Sequence, residues 1–182
     1  MMKKRWQLGT IWGVAIWFKA SSLLLSGLLW LLFSVAVRLL FDLSWGTAVV
    51  VGFTAVILHW LSDLLHHLGH AWVARRVGYP MQRIISWLIL MTSVYPKDEP
   101  PLPAAIHIRR ALGGPAASLL VAAISGALLL ILPANNSPLT LLVAFLFWEN
   151  LLVLFFGAFL PLGFTDGSTL LYWWPRRNDT VS

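Results

Sequence analysis

Apolar residues run along this chain in four long blocks separated by short polar interruptions. Gly46 to Leu65, Gly114 to Leu132 and Leu139 to Leu160 are almost free of charge, and Ser21 to Leu40 carries only Arg38 near its far end. A helix needs about 20 mostly apolar residues, rising about 1.5 Å each, to cross a bilayer. The pattern therefore predicts transmembrane helices over about 21–41, 46–76, 114–132 and 139–160. The second runs on past its apolar block to Arg76, where Gly78 and Pro80 supply a stop signal. The interruptions are too short for a separate soluble domain, so 1–182 reads as a single membrane domain.

Between the blocks lie pieces of a different kind. Trp6 to Phe18 alternates loosely around Gly9 and Gly13 and is expected to form an interfacial ribbon or short amphipathic segment. Tyr79 to His107 is the longest non-spanning stretch. Within it Ile84 to Met91 is apolar but too short to cross, which fits a strand or re-entrant segment against the bundle. Lys97 to Pro103, with three prolines, is a loop. Gly113-Gly114-Pro115 is expected to open the third span, with Pro115 in its first turn. The fold class is thus all-α integral membrane, about four transmembrane helices with an N-terminal interfacial ribbon and a short membrane-associated strand or re-entrant segment.

Composition agrees: 59% of residues are hydrophobic and 11% charged, and the mean hydropathy is +0.79. A net charge of +6 raises the question of nucleic acid, but the positions of the charges point elsewhere. With the N-terminus inside, Lys3, Lys4, Arg5, Lys19, Arg75, Arg76, Arg83, Lys97, Arg109, Arg110, Arg176 and Arg177 all fall on the inner side, which is the positive-inside pattern. Both termini are expected in the cytoplasm, of a bacterial plasma membrane given the small size, and no nucleic acid is expected as a partner. The basic start before an apolar run of full spanning length reads as a retained span rather than a cleaved signal. Cysteine is absent, which excludes disulfides and thiolate metal sites.

Ionisable residues inside a span are functional candidates because lipid penalises them. On the second helix, at about 100° per residue, His59, Asp63, His66 and His70 lie within about 60° of one another, with His67 at the edge of that stripe. His66 and His70, four apart, present two imidazoles on one face, a spacing that suits a divalent ion; zinc takes imidazole and carboxylate when thiolates are absent. The fourth span heads inward, is broken by Pro161 and Gly163, and brings Asp166-Gly167 to the level of those histidines. Glu149 and Asn150 are further intramembrane polar residues.

The run His66-His67-Leu68-Gly69-His70, followed by Gly114-Pro115 and by Pro161 with Asp166-Gly167, resembles the site-2 protease family of intramembrane zinc metallopeptidases. That family carries H-E-x-x-H, a Gly-Pro helix segment and N-x-x-P-x-P-x-x-D-G in this order. The resemblance spans about Trp6 to Leu171. It implies that His66, His70 and Asp166 hold zinc, with Gly114, Pro115, Pro161 and Gly167 in supporting positions. It further implies a water that attacks a peptide bond of a membrane-embedded substrate, which adds as a strand to the edge offered by Ile84 to Met91.

Three positions depart from the family pattern. His67 stands where the motif has its general-base glutamate, Ala158 where it has asparagine, and Gly163 where it has the second proline. His67 itself, Asp63 acting through a water, and Glu149 are the candidate replacement bases. Asp63 is expected to orient a ligating imidazole, and Asn150 either bonds between helices or supplies the polar contact that Ala158 lacks. Three functions follow: an intramembrane zinc metallopeptidase; a zinc-binding pseudoprotease that binds a membrane partner helix without cleaving; and a metal or haem carrier using His59, His66 and His70. Lipid is a partner in all three.

Overall fold

The computed structural model describes residues 4–178, so Lys3, counted above for orientation, lies outside them. Among these described residues, four helical segments are long and apolar enough to cross a bilayer. α1 spans Ala20–Phe41, α2 Trp45–Arg76 and α3 Ala104–Ile131, while α4, Pro138–Trp148, continues as a π-helical stretch over Glu149–Phe156 and a 3-10 turn over Gly157–Phe159. A short α5, Asp166–Trp173, follows. Their outward surface is apolar, with Leu130 87% and Leu40 73% exposed. That arrangement suits lipid rather than water, and the protein is an integral membrane protein. α1 is pinned to α2 by two indoles: Trp30 Nε1–H donates to the Val49 carbonyl and Trp60 Nε1–H to Ser26 Oγ, both at 2.9 Å.

The expected ribbon is a β-hairpin, β1 Arg5–Ile11 and β2 Val14–Lys19. It turns on Trp12 and Gly13, both at positive φ, the backbone that a tight two-residue turn requires. It belongs to a four-stranded sheet of order β1-β2-β3-β4, in which β2 and β3 pair in parallel and the other pairs are antiparallel. The core under the sheet joins Val14, Ile84 and Met91 to Ala71 and Ala74 near the end of α2.

Three expectations need correction. Ile84 to Met91 is neither one strand nor a re-entrant segment: β3, Arg83–Trp87, turns at Leu88-Ile89 into β4, Leu90–Val94. Leu88 takes φ +56° there without the glycine or asparagine that marks such a turn in a sequence. β3 lies inside the sheet, so of these two strands only β4 offers an edge. Second, α3 begins at Ala104, so Gly113, Gly114 and Pro115 are buried within the helix rather than opening it. Hydropathy marks where a helix enters lipid, not where it starts, and the Arg109-Arg110 pair masked its first turns. Third, the fourth span is not uniformly α-helical. Asn150 Nδ2–H donates to Leu146 O, four residues back, and to Ser62 Oγ on α2, both at 2.9 Å; a side chain inserted into the helical ladder in this way is a recognised cause of local rewinding.

Candidate metal centre

Helix spacing puts His66 and His70 one turn apart, and close packing of α2 on α3 decides where their rings point. A Cβ on Gly69 would collide with the Gly113 carbonyl, and a Cβ on Gly113 would collide with Gly69 in return, so two glycines let the backbones touch. Across this contact the His70 Nδ1–H donates to the Arg110 carbonyl at 2.7 Å, and His66 Nδ1 meets Ser118 Oγ at 2.9 Å. The bond to a carbonyl fixes His70 as the tautomer whose Nε2 carries a lone pair, and bonds of this kind orient metal-binding imidazoles. Gly114 lies directly beneath: a Cβ there would strike the Nε2 atoms of both rings.

The two Nε2 atoms stand 3.1 Å apart, and Asp166 Oδ2 lies 3.3 Å from each. A tetrahedral zinc with bonds of about 2.0–2.1 Å separates neighbouring ligands by about 3.3 Å, so these three atoms match one face of such a site. Asp166 opens α5 after a turn in which Gly163 takes φ +85°, a conformation closed to proline; the departure from the family motif at Gly163 therefore builds a different turn. Thr165 Oγ1 donates to the Leu160 carbonyl, and Gly163 N–H donates to Ser168 Oγ at 2.7 Å. Gly167 is packed so closely on the Phe159 backbone that any side chain would clash. Burial pushes the Asp166 carboxyl up, but the imidazoles of His70 and His66 hold it below the usual carboxylate range.

His67 completes the cluster. Its ring nitrogens are both buried and neither has a hydrogen-bond partner among the described residues, and one nitrogen from each of His66, His67 and His70 falls within 4.8 Å of the others. An imidazole buried without a partner is costly, so both nitrogens are available to a bound group or a reacting proton. The cluster opens on a cavity of about 710 Å³, lined also by Asp63, Met91, Ser93, Tyr95 and Leu152.

The remaining candidates are placed differently from expectation. Asp63 orients no imidazole: its Oδ2 accepts the Met91 N–H at 2.5 Å, and the orienting partners are Ser118 and the Arg110 carbonyl. Glu149 is held by His59 at 2.7 Å, and the other nitrogen of His59 donates to the Ile89 carbonyl at 2.6 Å. Glu149, His59 and Asn150 do not line the cavity, so Glu149 is not placed as a base, Asn150 does not stand in for the missing asparagine, and His59 joins no cofactor set with His66 and His70. Ser118 was missed although the signal was present, a hydroxyl one turn after Gly114 in an apolar span. Arg110 was counted only as an inner-side charge. It is 5% exposed, paired with Glu99 at 2.5 and 2.9 Å, and bonded to the Tyr79 carbonyl at 2.6 Å.

No protein-family model matches the chain. It is 31% identical over 157 residues to Rip3 of Mycobacterium tuberculosis, named as a candidate zinc metalloprotease, in both the Erdman and H37Rv strains. The match takes in 76% of this chain and 39% of the relative, so the chain spans about two-fifths of the length of these relatives. Among solved structures it is similar to a site-2 protease from Methanocaldococcus jannaschii, with a TM-score of 0.62 at 19% identity, over 97% of this chain and 74% of the other.

Proposed function

The chain belongs to the site-2 protease family, and on that premise we propose that it is an intramembrane zinc metallopeptidase hydrolysing peptide bonds of membrane-embedded substrates. His66, His70 and Asp166 are its metal ligands and His67 is its proton acceptor. The observation that carries the reading is the triangle of two imidazole nitrogens and one carboxylate oxygen with sides of 3.1 and 3.3 Å. Two nitrogens and an oxygen, without thiolate, form a donor set that zinc accepts. When bound, zinc supplies the Lewis acidity that acidifies a water and polarises the scissile carbonyl.

Each residue then has a task. The Arg110 carbonyl and Ser118 hold the two ligand rings by their far nitrogens, and Gly114 leaves room below them. His67 stands at the motif's general-base position with unbonded nitrogens, takes the proton shed by the attacking water and returns it to the leaving amine. The substrate enters from lipid as an unwound segment and lies along β4, whose residues line the cavity. The clustering of basic residues supports an orientation with both termini in the cytoplasm of a bacterial plasma membrane.

The test is zinc content together with cleavage of a fluorogenic transmembrane peptide by the purified protein, His67→Ala and His67→Glu. One zinc and cleavage in the wild type, with zinc kept and cleavage reduced about 10²- to 10⁴-fold in His67→Ala, is the expected result. Cleavage that arises only in His67→Glu would identify a zinc-binding protein retired from catalysis.

A further inference from the structure

Among the described residues, three ionisable side chains inside the membrane take no part in the chemistry above: His59, Asp63 and Glu149. His59 and Asp63 are 5% and 2% exposed. They stand one turn apart on α2, the helix that carries His66 and His70, and both reach the same hairpin. His59 holds the Ile89 carbonyl at 2.6 Å and Asp63 takes the Met91 N–H at 2.5 Å. Glu149, on the π-helical stretch, braces His59 from behind at 2.7 Å. The turn they grip contains Leu88 at φ +56°, a backbone state that leucine does not hold by itself.

The consequence lies in the pairing capacity of β4. Along an antiparallel strand, backbone groups point alternately toward and away from the partner. The Met91 N–H points to Asp63 rather than to β3, so the N–H and carbonyl of Ser93, two residues on, also face away from β3, on the free edge of the sheet. Asp63 thus caps the first edge donor of β4 and leaves the next open beside the cavity.

We propose that Asp63 and His59 are positioning residues that set the register at which a peptide strand pairs with β4, by closing the edge at Met91 so that pairing is confined to Ser93. This rests on the reading of β4 as the docking edge for an unwound substrate. Because edge groups repeat every two residues, freeing the Met91 N–H admits a second register displaced by two residues along the peptide. Asn at position 63 keeps an acceptor oxygen and so keeps the cap; Ala or Leu does not.

The chain has no cysteine, so Thr92→Cys on the exposed face of β4 is a unique thiol. Oxidative cross-linking is measured to an apolar peptide of spanning length that carries one cysteine, moved residue by residue. Thr92→Cys is expected to give a position-dependent maximum, unmoved when Asp63→Asn is added and shifted or split by two residues with Asp63→Ala. Asp63→Leu, which fills the same space without an acceptor, is expected to repeat the shift and guards against an alanine variant that fails to fold. A maximum that stays in place with both Ala and Leu overturns the proposal, as does cross-linking of Thr92→Cys that is independent of peptide position. Zinc content and cleavage of the same peptide are read separately: their absence beside a register shift refutes the peptidase reading and upholds this one.

Discussion

Gly114 lies so close beneath His70 that a Cβ on it would overlap the Nε2 atom, and the same Cβ would also strike His66 Nε2. The glycine of the Gly-Pro pair thus clears the floor of the candidate metal site from the facing helix. Gly114→Ala is expected to weaken zinc binding by at least tenfold, since both proposed ligand nitrogens must move off the geometry that the metal requires. Helix content by circular dichroism should be unchanged, because alanine favours a helix over glycine. Competition with a zinc chelator is the measurement.

Ser118 is the side-chain partner of His66 Nδ1. Partners of ligating imidazoles contribute about 10- to 100-fold in metal affinity. Ser118→Ala is expected to fall in that range, while Ser125→Ala, whose hydroxyl bonds only carbonyls of its own helix, leaves zinc affinity unchanged.

A folded-state metal site makes stability depend on metal. A ligand present at 100 times its dissociation constant stabilises the native state by about 2.7 kcal/mol. Chelation is expected to lower the thermal midpoint of the wild type in detergent and to leave that of His66→Ala or Asp166→Ala where it is. A midpoint that ignores chelator in all three would remove the metal from the account.

Two ion pairs between charged side chains among the described residues offer a contrast in magnitude. Arg110 and Glu99 have side-chain exposures of 5% and 16%, whereas Asp42, paired with Arg38, is 95% exposed. Breaking a buried pair by removing one partner costs about 3–5 kcal/mol, and an exposed pair contributes about 0–1 kcal/mol. Glu99→Ala is expected to destabilise the protein clearly, and Asp42→Ala hardly at all, in denaturation of the two variants side by side.

Glu149 separates stability from chemistry. Glu149→Ala strands His59 in the bundle and is expected to lower the thermal midpoint, yet to leave zinc content at one per chain, since the pair does not line the cavity. Loss of zinc in this variant would return Glu149 to the metal site.

The four spans, the break at Pro161 and the approach of Asp166 to the depth of His66 and His70 were legible in the chain, because hydropathy, charge asymmetry and helical periodicity are local properties that lipid enforces strongly. The start of α3 at Ala104 and the turn at Leu88 were not, since neither carries the residue that usually marks it. Whether Asp63 would orient an imidazole or cap the Met91 N–H, and whether Glu149 would face the histidine cluster or His59, depended on which side chains other elements bring within about 3 Å. A buried polar group settles on the partner nearest to it in space. The amino-acid sequence by itself determined the membrane-spanning architecture and the donor types available to a metal; packing of α2, α3, the sheet and the π-helical stretch alone decided which of those polar groups meet, because hydrogen bonding is short-ranged and the residues it joins here lie as much as 90 positions apart.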